Sequence, residues 1–211
     1  MSKHVLVETN FLRMAFHMPH KRDRGARDLW DGFLQGELAI HIPYLCFQEA
    51  QQGLEKTIAN VGDPTTEAQE IRRHLLRSHL ELDDEPWNDR EVERFFSEVR
   101  DYLRSVKTRG IKSDFHRAHE ELKNTGGIIH GEDAIFDTMP LDAGHRLEYN
   151  DHLVLASVLH RARTIRDKSE RAEVYFCTTD KDDLGPTAAR PKLTKLYNDL
   201  GIVFQDHFTI P

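Results

Sequence analysis

Short apolar runs alternate with helical stretches at both ends of this chain, and that alternation limits the fold more than any other feature. Residues 4–9 are brief, β-branched and suited to a strand buried on both faces. Residues 38–42 (Leu-Ala-Ile-His-Ile), 173–178 and 202–205 (Ile-Val-Phe-Gln) repeat the signal. Between them lie helical patterns. Leu29, Trp30, Phe33 and Leu34 share one side of a helix over 25–35. Pro43 opens a helix that runs to about residue 58, at a position where its missing N–H costs nothing. A helix over about 146–163 is apolar on most of its surface, as a helix packed on a sheet should be, and Pro191 to Leu200 forms another, stopped by Gly201. Strand–helix alternation of this kind predicts an α/β fold: a central parallel sheet flanked by helices and joined by right-handed crossovers.

The middle of the chain breaks the rhythm. Ile71, Leu75, Leu76 and Leu80 are spaced at three and four, and Asn88 with Glu91 has the form of a capping box. Val92, Phe95, Phe96, Val99, Leu103 and Val106 then trace a helical face about five turns long. A shorter helix is expected from near Ser113 to Asn124, and residues 125–145, without clear period, are expected to form a loop. The 211 residues therefore suit a single domain with a helical and loop insertion over about 60–145.

Composition narrows the setting. The net charge of -7 excludes a generally basic nucleic-acid binder, although a local basic stripe can coexist with an acidic site. Cys46 and Cys177 both sit in apolar runs and predict reduced, buried thiols of a cytoplasmic protein. No segment reads as a membrane span or as a signal peptide.

Acids punctuate the apolar elements. Glu8 and Asp180 stand where buried strands end, Glu49 lies on the helix after the second strand, and Asp151 opens the helix before the 173–178 strand. In an open parallel sheet, ligands bind outside the carboxyl ends of the strands. A cluster of buried carboxylates there needs cations or protonation. Magnesium or manganese suits oxygen donors that leave room for waters. Each acid also has an ordinary reading: Asp151 complements a helix dipole, Asp180 is a turn residue, and Glu49 pairs with Lys56. Thirteen histidines, including His17-x-x-His20 and His116-x-x-His119, raise zinc, but neither pair has further ligands at zinc-like spacing.

Taken together, these residues resemble the PIN-domain nucleases. In that family the first strand ends in Asp-Thr-Asn, matched by Glu8-Thr9-Asn10. The Glu of a Pro-led helix is matched by Glu49, and an Asp-x-x-Ile-x-Ala helix start by Asp151-His-Leu-Val-Leu-Ala156. A strand running into Thr-Asp-Lys-Asp is matched by Thr179-Asp180-Lys181-Asp182. The resemblance covers about 1–58 and 145–207, and it departs at Glu8, which is longer than Asp by one methylene, about 1.5 Å of reach.

The resemblance implies a PIN-like three-layer α/β/α fold and a metal-dependent endoribonuclease acting on RNA or single-stranded nucleic acid. Magnesium or manganese would be held by Glu8, Glu49, Asp151 and Asp180, with Asp182 and Glu148 as supplementary ligands and Asn10 and Thr179 behind them. The basic cluster Lys21, Arg22, Arg24 and Arg27 is the expected phosphate-holding surface near the pocket mouth. Family members often pair, so a homodimer is a further expectation. Two other settings fit the same residues: a catalytically silent RNA- or protein-binding module, and a toxin or defence nuclease controlled by an inhibitory protein partner.

Overall fold

The computed structural model describes residues 2–17, 23–59, 89–130, 149–187 and 190–211. Five parallel strands form the sheet: β1 (Lys3–Val7), β2 (Leu38–Pro43), β3 (Ile128–Ile129), β4 (Glu173–Cys177) and β5 (Ile202–Gln205), in the order β3-β2-β1-β4-β5. The flanking helices are α1 (Thr9–Leu12), continued by a π-helical turn at Arg13–His17, then α2 (Arg24–Leu34), α3 (Tyr44–Ala59), α4 (Asp89–Asn124), α5 (Tyr149–Lys168), α6 (Lys181–Leu184) and α7 (Pro191–Asp199). The arrangement is an α/β fold of three layers, with helices flanking a parallel sheet.

Strand β1 is central for a reason visible in its composition. Val5, Leu6 and Val7 have no solvent exposure, and both edges of the strand are paired, Val5 opposite Ile40 on one side and Tyr175 on the other. Burying such side chains contributes about 1.5–3 kcal/mol each. Helix α5 buries Val154, Leu155, Val158, Leu159, Ala162 and Ile165, consistent with its apolar circumference. It runs five residues past the expected end at 163. Arg166 in its last turn donates to the carbonyls of Leu200 (2.9 Å), Gly201 (2.6 Å) and Glu170 (2.9 Å). Those bonds fasten the turn before β5 to the helix end.

Three expectations change. The first strand stops at Val7 because Glu8 leaves the ladder to cap α1. The two expected helices of the middle region are one 36-residue helix, α4. Gly110 does not interrupt it: nothing lies within 4 Å of where a Cβ would stand, so glycine adds only its entropic cost, about 1 kcal/mol. From Ile111 onward the helix turns a regular face inward, with Ile111, Phe115, Ala118 and Leu122 all buried. Val106, expected on the apolar face, is instead 45% exposed.

The expected loop over 125–145 begins with a strand. Helix α4 ends in a left-handed residue, Gly126 (φ 67°), and the Gly127 N–H returns to the Leu122 carbonyl at 2.7 Å. A Cβ on Gly127 would meet the Ile40 carbonyl at 2.5 Å, so only glycine lets the chain pass this close to β2. Ile128 and Ile129 then pair with Ile42 and Pro43 as the edge strand β3. Two residues cannot show a period of two, which is why pattern alone hides this strand. The expected helical face at Ile71–Leu80, the Asn88–Glu91 cap and the remainder of the loop lie outside the described residues.

Cys46 and Cys177 are buried free thiols, as expected. Among the described residues no helix is long and apolar enough to cross a membrane.

Candidate functional site

The strand order reverses between β1 and β4, so the crevice at their carboxyl ends is the topological switch point of the sheet. Glu8 follows β1 directly and occupies that crevice. Its backbone is extended, and its side chain caps α1 by accepting the Asn10 N–H at 2.7 Å. The other carboxylate oxygen accepts the Thr178 hydroxyl at 3.1 Å. Thr178 follows β4 and is fully buried; its hydroxyl oxygen also accepts the Asp180 N–H at 2.8 Å. One acid thereby ties together the ends of the two central strands.

Burial dominates the chemistry of Glu8. It is only 6% exposed, and burial pushes its pKa up to about 7. The Asn10 N–H and the Thr178 hydroxyl oppose that rise, the negative charge of Asp180 adds to it, and Arg13 draws it down. Asp180 caps α6, accepting the Asp183 N–H at 3.2 Å. Beside it, Asn10 donates its side-chain amide to the Thr179 hydroxyl at 3.0 Å.

Glu49 forms the second half of the site. The Thr9 hydroxyl donates to one of its oxygens at 2.6 Å, and the Asn150 amide donates to the other at 3.0 Å. Because Asn150 belongs to the first turn of α5, these bonds hold the start of that helix against α3 and the end of β1. Asp151 is the next residue on α5 and is half-buried. Cys46 is buried three residues before Glu49; burial, reinforced by the charges of Glu8 and Glu49, pushes its thiol well above the usual range. It is therefore a protonated core side chain rather than a nucleophile.

Hydrogen bonding thus links Glu8, Asn10, Thr179 and Asp180 at one end of the crevice and Glu49 at the other, through the adjacent residues Glu8 and Thr9. Asp182 is exposed, and its backbone carbonyl accepts from the buried Arg190 guanidinium, which also binds the carbonyls of Asp183 (2.7 Å) and Gly185 (3.2 Å). Glu148, Lys21, Arg22 and His20 lie outside the described residues. Arg24 is exposed and forms an ion pair with Asp28 at 3.7 Å. Arg27 lines a separate cleft with Trp30, Asp114 and Arg117.

Three side chains that organise the acids carried no role in the sequence reading: Thr9, Thr178 and Asn150. A signal for Thr178 was present, since alternation along β4 puts it on the same side as the buried Phe176. Thr9 and Asn150 each adjoin a candidate acid, but adjacency does not reveal that both serve Glu49.

The donor chemistry suits a hard divalent cation, because the oxygens of the network are those of carboxylates and hydroxyls. Among the described residues, no three His, Cys, Asp or Glu side chains gather closely enough to enclose a metal ion. Comparison with protein-family models, with curated proteins and with solved structures finds no match.

Proposed function

We propose that this chain is a metal-dependent, PIN-like nuclease that hydrolyses phosphodiester bonds of RNA or single-stranded nucleic acid. One observation carries the reading: Glu8, an acid buried at the switch point of a parallel sheet, faces a second acid, Asp180, and its pKa is raised to about 7. A carboxylate that merely stabilised the fold would be expected beside a cation or on the surface. A buried acid with a half-buried second acid beside it at a ligand crevice is instead poised to take up positive charge. Glu8, Glu49, Asp151 and Asp180 are the residues that would hold magnesium or manganese, with Asp182 and Glu148 supplementary. Bound there, the ion supplies activation of a water and neutralisation of charge on the scissile phosphate.

The remaining work falls to the chain itself. Thr178 and the Asn10 N–H fix the orientation of Glu8, and Thr9 and Asn150 fix that of Glu49. Such supporting bonds orient the carboxylates that would serve as ligands. Arg190 anchors the segment that follows Asp180 through three backbone carbonyls. A second reading, a catalytically silent binding module, draws support from the same bonds, because every carboxylate oxygen of Glu8 and Glu49 already accepts a protein donor.

A panel of RNA and single-stranded DNA incubated with magnesium or manganese separates the two. The nuclease reading expects cleavage by the wild type, retained or increased activity in Glu8→Asp, and none in Asp151→Asn. Equal product from wild type and Asp151→Asn would sink it.

A further inference from the structure

Helix α1 carries more of the acidic site than its length can support. Glu8 caps it through the Asn10 N–H at 2.7 Å, Thr9 donates to Glu49 at 2.6 Å, and Asn10 donates to Thr179 at 3.0 Å. Yet α1 is four residues long. So short a helix has no stability of its own and takes its place from what it packs on. Its apolar side chains, Phe11 and Leu12, have no solvent exposure.

Against Phe11 stands Phe208, edge to face, with the ring centroids 5.6 Å apart. Phe208 is itself buried. It belongs to residues 206–211, which follow β5, pass α2 at Gly25 and reach Lys3 at the start of β1. We infer that Phe208 is a positioning residue of the acidic site: by backing Phe11 it fixes α1, and through α1 the carboxylates of Glu8 and Glu49. The inference rests on the proposed reading of those acids as a metal site and adds a residue that sets their geometry from outside it.

The segment is fastened on both sides of the ring. A Cβ on Gly25 would lie 2.6 Å from the Phe208 carbonyl oxygen and 2.8 Å from Thr209 Oγ1, so only glycine lets α2 accept the segment this closely. Lys3 donates its ammonium to the Pro211 carbonyl at 2.6 Å. Ahead of the ring, the Gln205 carbonyl accepts the Thr178 N–H at 3.1 Å. That bond reaches the same acid from the other side, because the Thr178 hydroxyl holds Glu8 at 3.1 Å. The two supports of Glu8 thus trace back to one stretch of chain. One runs through Thr178 to Gln205, the other through α1 and Phe11 to Phe208. A T-shaped aromatic pair also prefers one mutual orientation, which an aliphatic side chain of similar bulk would not impose.

Amide hydrogen exchange reads the placement of α1 without metal or substrate. In Phe208→Leu, protection of the Asn10 N–H should fall about tenfold further than protection of the Leu6 N–H in the middle of β1. A side chain that served only overall stability would lower Leu6 at least as much as Asn10, because global unfolding exposes both. Gly25→Ala should repeat the Asn10 effect by pushing the Phe208 carbonyl away, although alanine is the better helix former at that place. A loss at Asn10 no larger than that at Leu6 in Phe208→Leu overturns the role; Gly25→Ala decides by the same criterion if that variant does not fold. Manganese affinity, read from the rise of Tm with added manganese, should fall about tenfold in Phe208→Leu and hold in Ile165→Val, a buried change near the far end of α5. No difference in affinity between those two variants overturns the link to the acids. Absence of manganese binding by the wild type, with the Asn10 effect intact, removes the metal reading and leaves Phe208 as the residue that places α1.

Discussion

Replacing Glu8 by Gln should stabilise this protein at alkaline pH and not at acid pH. Glu8 has an ordinary pKa of 4.5 that burial raises to about 7 in the folded chain. A folded state that holds its proton more tightly than the unfolded state loses stability as pH rises between the two values. The full swing is about 2.5 units at ~1.4 kcal/mol per unit, or roughly 3 kcal/mol. Between about pH 5 and pH 8, most of it, about 2.5 kcal/mol, is traversed. Gln is neutral and nearly isosteric. Its oxygen can keep the Asn10 N–H, and its amide can donate to Thr178, whose hydroxyl already accepts from Asp180 N–H. Weaker capping costs roughly 1 kcal/mol at every pH, so the difference between two pH values isolates the charge. Urea unfolding of both proteins in EDTA at about pH 5 and pH 8 measures it. The variant should gain about 2–3 kcal/mol relative to wild type between those pH values. A pH-independent difference refutes the claim that burial raises the pKa of Glu8. Manganese should then stabilise the wild type at the higher pH, by RT ln(1 + [L]/Kd), and leave Glu8→Gln nearly unmoved.

Three further outcomes follow from His41 and Arg190. His41 is buried and accepts from the Arg161 guanidinium at 3.1 Å while its other ring nitrogen meets His4 at 2.9 Å; burial first, then the charge of Arg161, lowers its pKa to about 3. NMR titration of Arg161→Met should show that pKa rise while staying below 6.5, since burial persists, and an unchanged value would contradict the Arg161 contribution. With wild-type His41 neutral when folded, stability should fall as pH drops below about 6.5, because the unfolded chain binds the extra proton. Arg190→Leu should cost roughly 3 kcal/mol in thermal or urea unfolding, since it leaves the carbonyls of Asp182, Asp183 and Gly185 without their buried charged donor; a loss under about 0.5 kcal/mol would show that water replaces it.

The large elements were legible because each carries a strong local signal. Val5, Leu6 and Val7 could belong only to a strand buried on both faces, and Leu29, Trp30 and Phe33 only to one helix face. Where the signal was local but weak, reading failed. Ile128–Ile129 is too short for any period, and Gly110 carries a penalty too small to break a 36-residue helix. The order of acids along the chain matched one feature of the sheet: parallel pairing of β1 with β4 puts their carboxyl ends on one edge, where Glu8 and Asp180 follow.

Which partner each acid takes is a different matter. Sequence by itself determined that carboxylates terminate buried elements, and hence that they share one edge of a parallel sheet. Only the tertiary structure decided that Thr178, 170 positions from Glu8, holds it, and that Thr9 and Asn150 hold Glu49. Hydrogen bonds between distant residues depend on strand order and register to within an ångström or so. Hydrophobic periodicity sets which face is buried, but it says nothing of which strands become neighbours.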